Sequence, residues 1–116
     1  MTRFSQLSAP RQALVRLCQS TNYGTIHNLV ICDSEPAVTS SAPGVLVDFR
    51  LDLEERPRPE LAVVDFELCA ELNRLMVLLD RIENGSISKI EVRAGIPRRV
   101  TCESRVSVSE AREVLT

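Results

Sequence analysis

Residues 14–36, LVRLCQSTNYGTIHNLVICDSEP, decide the fold once they are set against residues 75–97, LMVLLDRIENGSISKIEVRAGIP. The two windows align without a gap at a constant offset of 61 residues. Leu14/Leu75, Leu17/Leu78, Gly24/Gly85, Ile26/Ile87 and Pro36/Pro97 are identical, and Thr25/Ser86, Leu29/Ile90 and Ile31/Val92 are conservative pairs. Self-similarity of this kind is sought first because it decides how a chain divides. Each window reads as an apolar helix, an Asn-containing turn with glycine, a strand, a second turn and then proline. The glycines are read as helix-exit residues, where a left-handed backbone is cheap without a Cβ. In both strands the apolar positions fall two, five and seven residues after the glycine. A half-buried strand keeps a period of two. The break at His27-Asn28 and at Ser88-Lys89 therefore predicts a bulge, whose extra residue restores the phase.

Outward from this unit, the 116 residues predict a single small α+β domain. It would consist of two αββ-like repeats, at about residues 8–53 and 64–106, with antiparallel sheet packing and a short C-terminal helix. Ser8 caps a first helix that carries Pro10 in its opening turn. Thr25 to Cys32 is the first strand, with Ile26, Leu29 and Ile31 as its core set. Val30 and Cys32 face the other way, where the second window carries Glu91 and Arg93. Asp33 to Gly44 reads as a loop too long for a tight hairpin. Val45 to Leu53 alternates cleanly, so Val45, Val47, Phe49, Leu51 and Leu53 would form the buried side of a strand paired antiparallel with the first.

The acidic, proline-bearing stretch Glu54 to Glu60 should leave the sheet. The longest helix is predicted from about Asp65 to Ile82, with Leu68, Leu72, Leu75, Leu79 and Ile82 as an apolar stripe widened by Met76 and Leu78. Ser86 to Arg93 and a partner strand from Pro97 or Arg98 through Cys102 would follow. Ser107 and Glu110 form a capping-box pattern for a tail helix ending near Leu115, with Val108, Ala111 and Val114 on one side.

Composition narrows the function classes. With one Tyr, three Phe and no Trp, the core must rest on Leu, Ile and Val. The formal charge of −2 offers no general attraction to nucleic acid. No apolar run reaches transmembrane length, and the start MTRFSQLSAPRQ lacks the apolar core of a secretory signal. Cys18, Cys32, Cys69 and Cys102 are scattered, without CxxC or Cys/His spacing. They read as reduced thiols in a cytoplasm, and neither a zinc site nor any other metal or cofactor is indicated.

No nucleotide-binding loop, GxSxG or HExxH pattern is present, so no catalytic residue is assigned. His27, the only histidine, would need an aligned carboxylate such as Asp33 to act in general acid–base chemistry. Charge is unevenly spread: residues 33–71 hold ten acidic and three basic side chains, whereas residues 86–105 carry a net +3. Arg98-Arg99 can hold a phosphate bidentately, but no interspersed aromatics offer base stacking.

The segment ENGSISKIEVRAGIPRRV, less than a third of the chain, resembles small bacterial domains built of a helix, an Ile-x-x-Gly-Ser-Ile-type turn and two strands. That resemblance implies no activity. The favoured reading is a non-catalytic protein-interaction or structural module acting as a homodimer. Val30, Cys32, Leu72, Met76, Arg98 and Arg99 are its interaction candidates. A phosphate- or nucleic-acid-binding accessory protein using the second hairpin comes next, and a small hydrolase-like enzyme centred on His27 comes third. A membrane partner is not expected.

Overall fold

The computed structural model describes residues 2–38, 46–52 and 59–102. Among them, two α-helices, α1 (Ala9–Thr21) and α2 (Ala70–Ile82), and five strands make a small α+β domain. The strands are β1 (Gly24–Cys32), β2 (Glu35–Pro36), β3 (Leu46–Phe49), β4 (Gly85–Arg93) and β5 (Ile96–Cys102). All pairings are antiparallel. β4 lies along one edge of β1 and β5 along the outer edge of β4, while β2 and β3 both pair with the other edge of β1.

The phase break sits where the sequence predicts it. Between β1 and β4 the register runs from Gly24↔Val92 to His27↔Lys89 and resumes at Leu29↔Ile87. Asn28 and Ser88 thus lie opposite one another outside the ladder, Asn28 with a φ of 60°. Because both strands skip at the same level, Ile26, Leu29 and Ile31 stay on the same face as Ile87, Ile90 and Val92. All six are between 0% and 4% exposed. They join Leu14, Val15 and Cys18 of α1 and Leu72, Leu75, Met76 and Leu79 of α2 in one core. At roughly 1.5–3 kcal/mol per fully buried aliphatic side chain, this cluster dominates stability. The opposite face of the sheet is left uncovered among the described residues.

The helix exits depart from expectation. Gly24 and Gly85 have no left-handed backbone; the residues with positive φ are Asn22 (62°) and Glu83 (58°), with ψ of −71° and −65°. Tyr23 N–H donates to the Thr21 carbonyl at 2.7 Å, and Asn84 N–H to that of Ile82 at 2.6 Å. These are γ-turns of the strained kind. Each is held from across the molecule: Gly95 N–H donates to the Asn22 carbonyl at 2.9 Å, and Ser34 N–H to that of Glu83 at 2.7 Å. Gly24 is required for another reason. An added Cβ would lie 1.9 Å from the Asp48 carbonyl oxygen of β3, whereas at Gly85 it would meet only Ile82 Cγ2 at 3.3 Å.

The first hairpin is tighter than the loop read for residues 33–44. Asp33 and Ser34, with φ of 51° and 64°, form a two-residue turn, as Ala94 and Gly95 do with φ of 55° and 74°. The chain returns along β1 at Glu35-Pro36 before departing, and rejoins it at β3. β3 is shorter than the Val45 to Leu53 strand expected. Val47 is only partly buried, and Phe49 and Leu51 are 54% and 93% exposed. Clean alternation overstated this strand because it lies on the sheet's edge. Val45, Leu53 and the tail helix expected around residues 107–115 lie outside the described residues.

α2 begins at Ala70, not Asp65, because residues 65–68 are used by the N-terminal lead. Phe4 N–H donates to the Phe66 carbonyl (2.8 Å) and Leu68 N–H to that of Thr2 (3.0 Å). The Phe4 and Phe66 rings stack at 5.1 Å, with the Arg16 guanidinium 4.3 Å from the Phe4 ring centroid. At the start of α1, Ser8 Oγ accepts from Arg11 N–H at 3.4 Å, as the sequence predicts. Arg11 then ties α1 to its neighbours, donating to the Ser34 carbonyl and to Asp80 of α2.

Two predictions follow from this packing. Gly24→Ala should lower stability to urea by about 1–3 kcal/mol through forced displacement of β3, while Gly85→Ala stays within about 1 kcal/mol of wild type. Equal losses at both positions would refute the described approach of β3 to Gly24. The second concerns Asp65, which accepts from Arg3 Nε and from Ser5 N–H, both at 2.9 Å. The arginine bond, then the backbone bond, hold its carboxyl down to about 2 from an ordinary 3.8. A depressed carboxyl stabilises the fold above its unfolded value and loses that contribution as pH falls through its folded one. The stability gap between wild type and Asp65→Asn should therefore be constant above pH 3.8 and close towards pH 2. A gap unchanged down to pH 2 would contradict it.

Candidate functional site

The antiparallel pairing of β1 with β4 brings the start of one strand to the end of the other, so Thr25 lies opposite Glu91. Arg50, just beyond β3, is fastened there by its N–H bond to the Tyr23 carbonyl (3.1 Å). β5 supplies the rest. Its register against β4 slips between Glu91↔Arg99 and Val92↔Pro97, which leaves Arg98 as the extra residue of a bulge. Regular alternation would send adjacent side chains to opposite faces; the bulge lets Arg98 and Arg99 line the same cleft.

The cleft has a volume of about 590 Å³, and Arg50, Arg93, Arg98 and Arg99 line it together with Tyr23 and one acid, Glu91. The four guanidinium groups are not equally engaged. Arg98 Nη1 donates to Glu71 Oε2 of α2 at 2.6 Å. Arg50 grips both oxygens of Asp52, at 2.8 and 2.6 Å, which raises the arginine's pKa and lowers the carboxyl's. Arg99 Nε stands 3.9 Å from Glu91 Oε2, too far for a hydrogen bond, and its side chain is 77% exposed. Arg93 makes no ion pair among the described residues. Exposed ion pairs are worth only about 0–1 kcal/mol, so an incoming anion can compete with Glu91 at little cost. Arginine forks suit it, because they meet phosphate or carboxylate oxygens two at a time.

Of the interaction candidates read from the sequence, Arg98 and Arg99 come together in this cleft. Val30, 46% exposed, and the exposed Cys32 lie on the same open sheet face but at the far end of β1. Leu72 and Met76 are 5% and 6% exposed, so their apolar area is spent inside the chain. Sequence does not single out Arg50 or Tyr23, and Arg93 counts there only toward the basic charge of the second hairpin. The alternation of Glu91 and Arg93 with buried residues was the one local signal available.

His27 meets a carboxylate, though not Asp33: its Nε2 lies 2.6 Å from Asp48 Oδ2 on β3. Asp33 sits in the distant hairpin turn, where its N–H donates to Asn84 Oδ1. Glu35 accepts from Ser8 and pairs with Arg11. No serine, threonine or cysteine hydrogen-bonds to His27 among the described residues, and the pair stands outside the arginine cleft. Among those residues no cluster of His, Cys, Asp or Glu is arranged to hold a metal ion, and no helix is long and apolar enough to cross a membrane. All four cysteines are free thiols. Burial, then proximity to Cys69, pushes the Cys18 thiol up to about 12, and burial raises that of Cys102. Comparison with protein-family models, with curated proteins and with solved structures returns no match for this chain.

Proposed function

We propose that this chain is a non-catalytic interaction module whose working surface is the arginine-lined cleft and whose partner presents anionic groups there. The observation that carries the reading is the gathering of four guanidinium groups against a single lining carboxylate among the described residues, where Arg93 has no ion pair and Arg99 is loosely held. A protein partner is favoured over nucleic acid, because among the described residues Tyr23 is the only aromatic one in the lining, and the whole chain is acidic. A phosphate-bearing ligand remains the second reading, favoured by the fork geometry of the same arginines. Catalysis at His27 gains a His–Asp pair but, among the described residues, no hydrogen-bonded serine, threonine or cysteine.

We further propose that the domain is two αββ units related by an approximate two-fold axis. Its support is the pairing of matched contacts 61 residues apart: Gln12 and Asn73 each donate, by N–H and by side-chain amide, to Ser8 and Leu7 or to Cys69 and Leu68. The two γ-turns and the two-residue hairpin turns recur at the same offset. We also propose self-association as a homodimer in a bacterial-type cytoplasm, through apolar area left on the open sheet face at Val30 and Leu46, 46% and 59% exposed. Charged side chains around that face would set the orientation.

The anion reading is tested by isothermal titration with pyrophosphate and with an oligoglutamate peptide at low ionic strength. Wild type should bind at least one of them, and Arg93→Ala/Arg99→Ala should weaken it by at least about tenfold, which is about 1.4 kcal/mol. Lys89→Ala, outside the cleft lining, should leave binding unchanged. Absence of binding, or indifference to the arginines, would overturn it. For the homodimer, light scattering should give twice the chain mass, with Val30→Glu shifting the protein to monomer. A wild-type monomer at every concentration would rule it out.

A further inference from the structure

The arginines do not stop at the cleft. A second concavity, about 180 Å³, lies between α2 and β5 and shares Arg98 and Arg99 with the first. A third, about 410 Å³ on the outer side of α2, shares Arg74 and Leu78 with the second and adds Arg81. Each thus adjoins the next across shared side chains. They carry Arg50, Arg93, Arg98, Arg99, Arg74 and Arg81 from the open sheet face, around the β5 edge, onto the helix. Among the described residues only Glu91 and Glu71 oppose them in the lining. Arg74 and Arg81 have no ion-pair partner there and stand seven residues apart on α2, about 10 Å along the axis.

We infer that this track receives an acidic, leucine-bearing segment of a partner protein. The inference rests on the anion-binding reading of the cleft and specifies what delivers the anions. Beyond the cleft the surface between the arginines is aliphatic: Leu78, Pro97 and Val100 in the second concavity, and Val77, 51% exposed, in the third. A polynucleotide offers phosphates at such spacing but leaves this surface without a fitting group, and it depends on aromatic platforms, of which the described residues of the track supply only Tyr23. An acidic segment with leucines matches both components, carboxylates on the guanidinium groups and methyl groups on the aliphatic patches.

Nor does the segment add as a strand to the sheet. The outer edge of β5 is interrupted by Pro97, which has no N–H to offer, and by the bulge at Arg98. Such features blunt an edge against pairing. The occupant lies in the grooves on either side of it.

The test uses the intact chain and three fluorescent probes of about 16 residues or nucleotides: a peptide alternating glutamates with leucines, an oligoglutamate of equal charge, and oligothymidylate. Probe lengths follow the upper end of single-strand site sizes, so that each can span the track. The leucine-bearing peptide should bind at least about tenfold more tightly than oligoglutamate. Arg74→Ala/Arg81→Ala should weaken it by at least about tenfold while pyrophosphate binding in the cleft is unchanged. Alanine is the best helix former, so α2 should survive the change, which circular dichroism verifies. Tighter binding of oligothymidylate, or indifference of the peptide to the α2 variant while pyrophosphate still binds, would overturn this inference and leave the cleft reading standing. If no probe and no pyrophosphate binds, both fall.

Discussion

Two strands that change phase at the same level hold this molecule together. A single extra residue in one strand would turn every later side chain to the opposite face. Here Asn28 and Ser88 face each other, so β1 and β4 shift in step and their core residues remain side by side. The inner face is therefore wholly apolar along both strands and can be sealed by two helices. The outer face is released from that duty, and Thr25, His27, Lys89, Glu91 and Arg93 can be polar without disturbing the core.

The same pairing explains why the helices stop where they do. Each ends in a γ-turn at a residue other than glycine, a conformation that costs of order 1–3 kcal/mol. The carbonyl each exposes is met by an N–H from the hairpin turn of the opposite half. Neither half can make that bond alone, so the strain is tolerated only once β1 and β4 have joined. Local geometry and long-range pairing thus depend on one another, as expected of a chain whose contacts support a single arrangement.

The proposed function draws on an asymmetry. At matching offsets the first strand carries Val30 and Cys32 where the second carries Glu91 and Arg93. One end of the open face is consequently apolar and the other charged. The bulge in β5 adds to the charged end by turning two adjacent arginines into one cleft, and Glu71 of α2 steadies one of them. The proposed binding role draws on the chemistry of these side chains: guanidinium groups recognise anions well but do not exchange protons near neutral pH.

Much of this was legible in the chain. Periodicity alone located both helices, the central strands and their shared break, because a phase error in a buried strand has an immediate energetic cost. Capping by Ser8 was equally plain, since it involves neighbours only. What failed were the judgements that depended on partners remote in sequence. Gly24 reads as a helix exit, but its need comes from the Asp48 carbonyl of β3; residues 65–68 look helical until the N-terminal lead claims their backbone bonds; Phe49 and Leu51 alternate like core residues but have no layer above them among the described residues.

The site divides in the same way. Sequence by itself determined that Arg98 and Arg99 are adjacent and that the second hairpin is basic. Only tertiary structure decided that Arg50, Arg93 and Tyr23 share their cleft, and that Leu72 and Met76 are already buried. The reason is physical: short-range preferences act between residues a few positions apart, whereas a binding surface is assembled by strand pairing across more than half the chain.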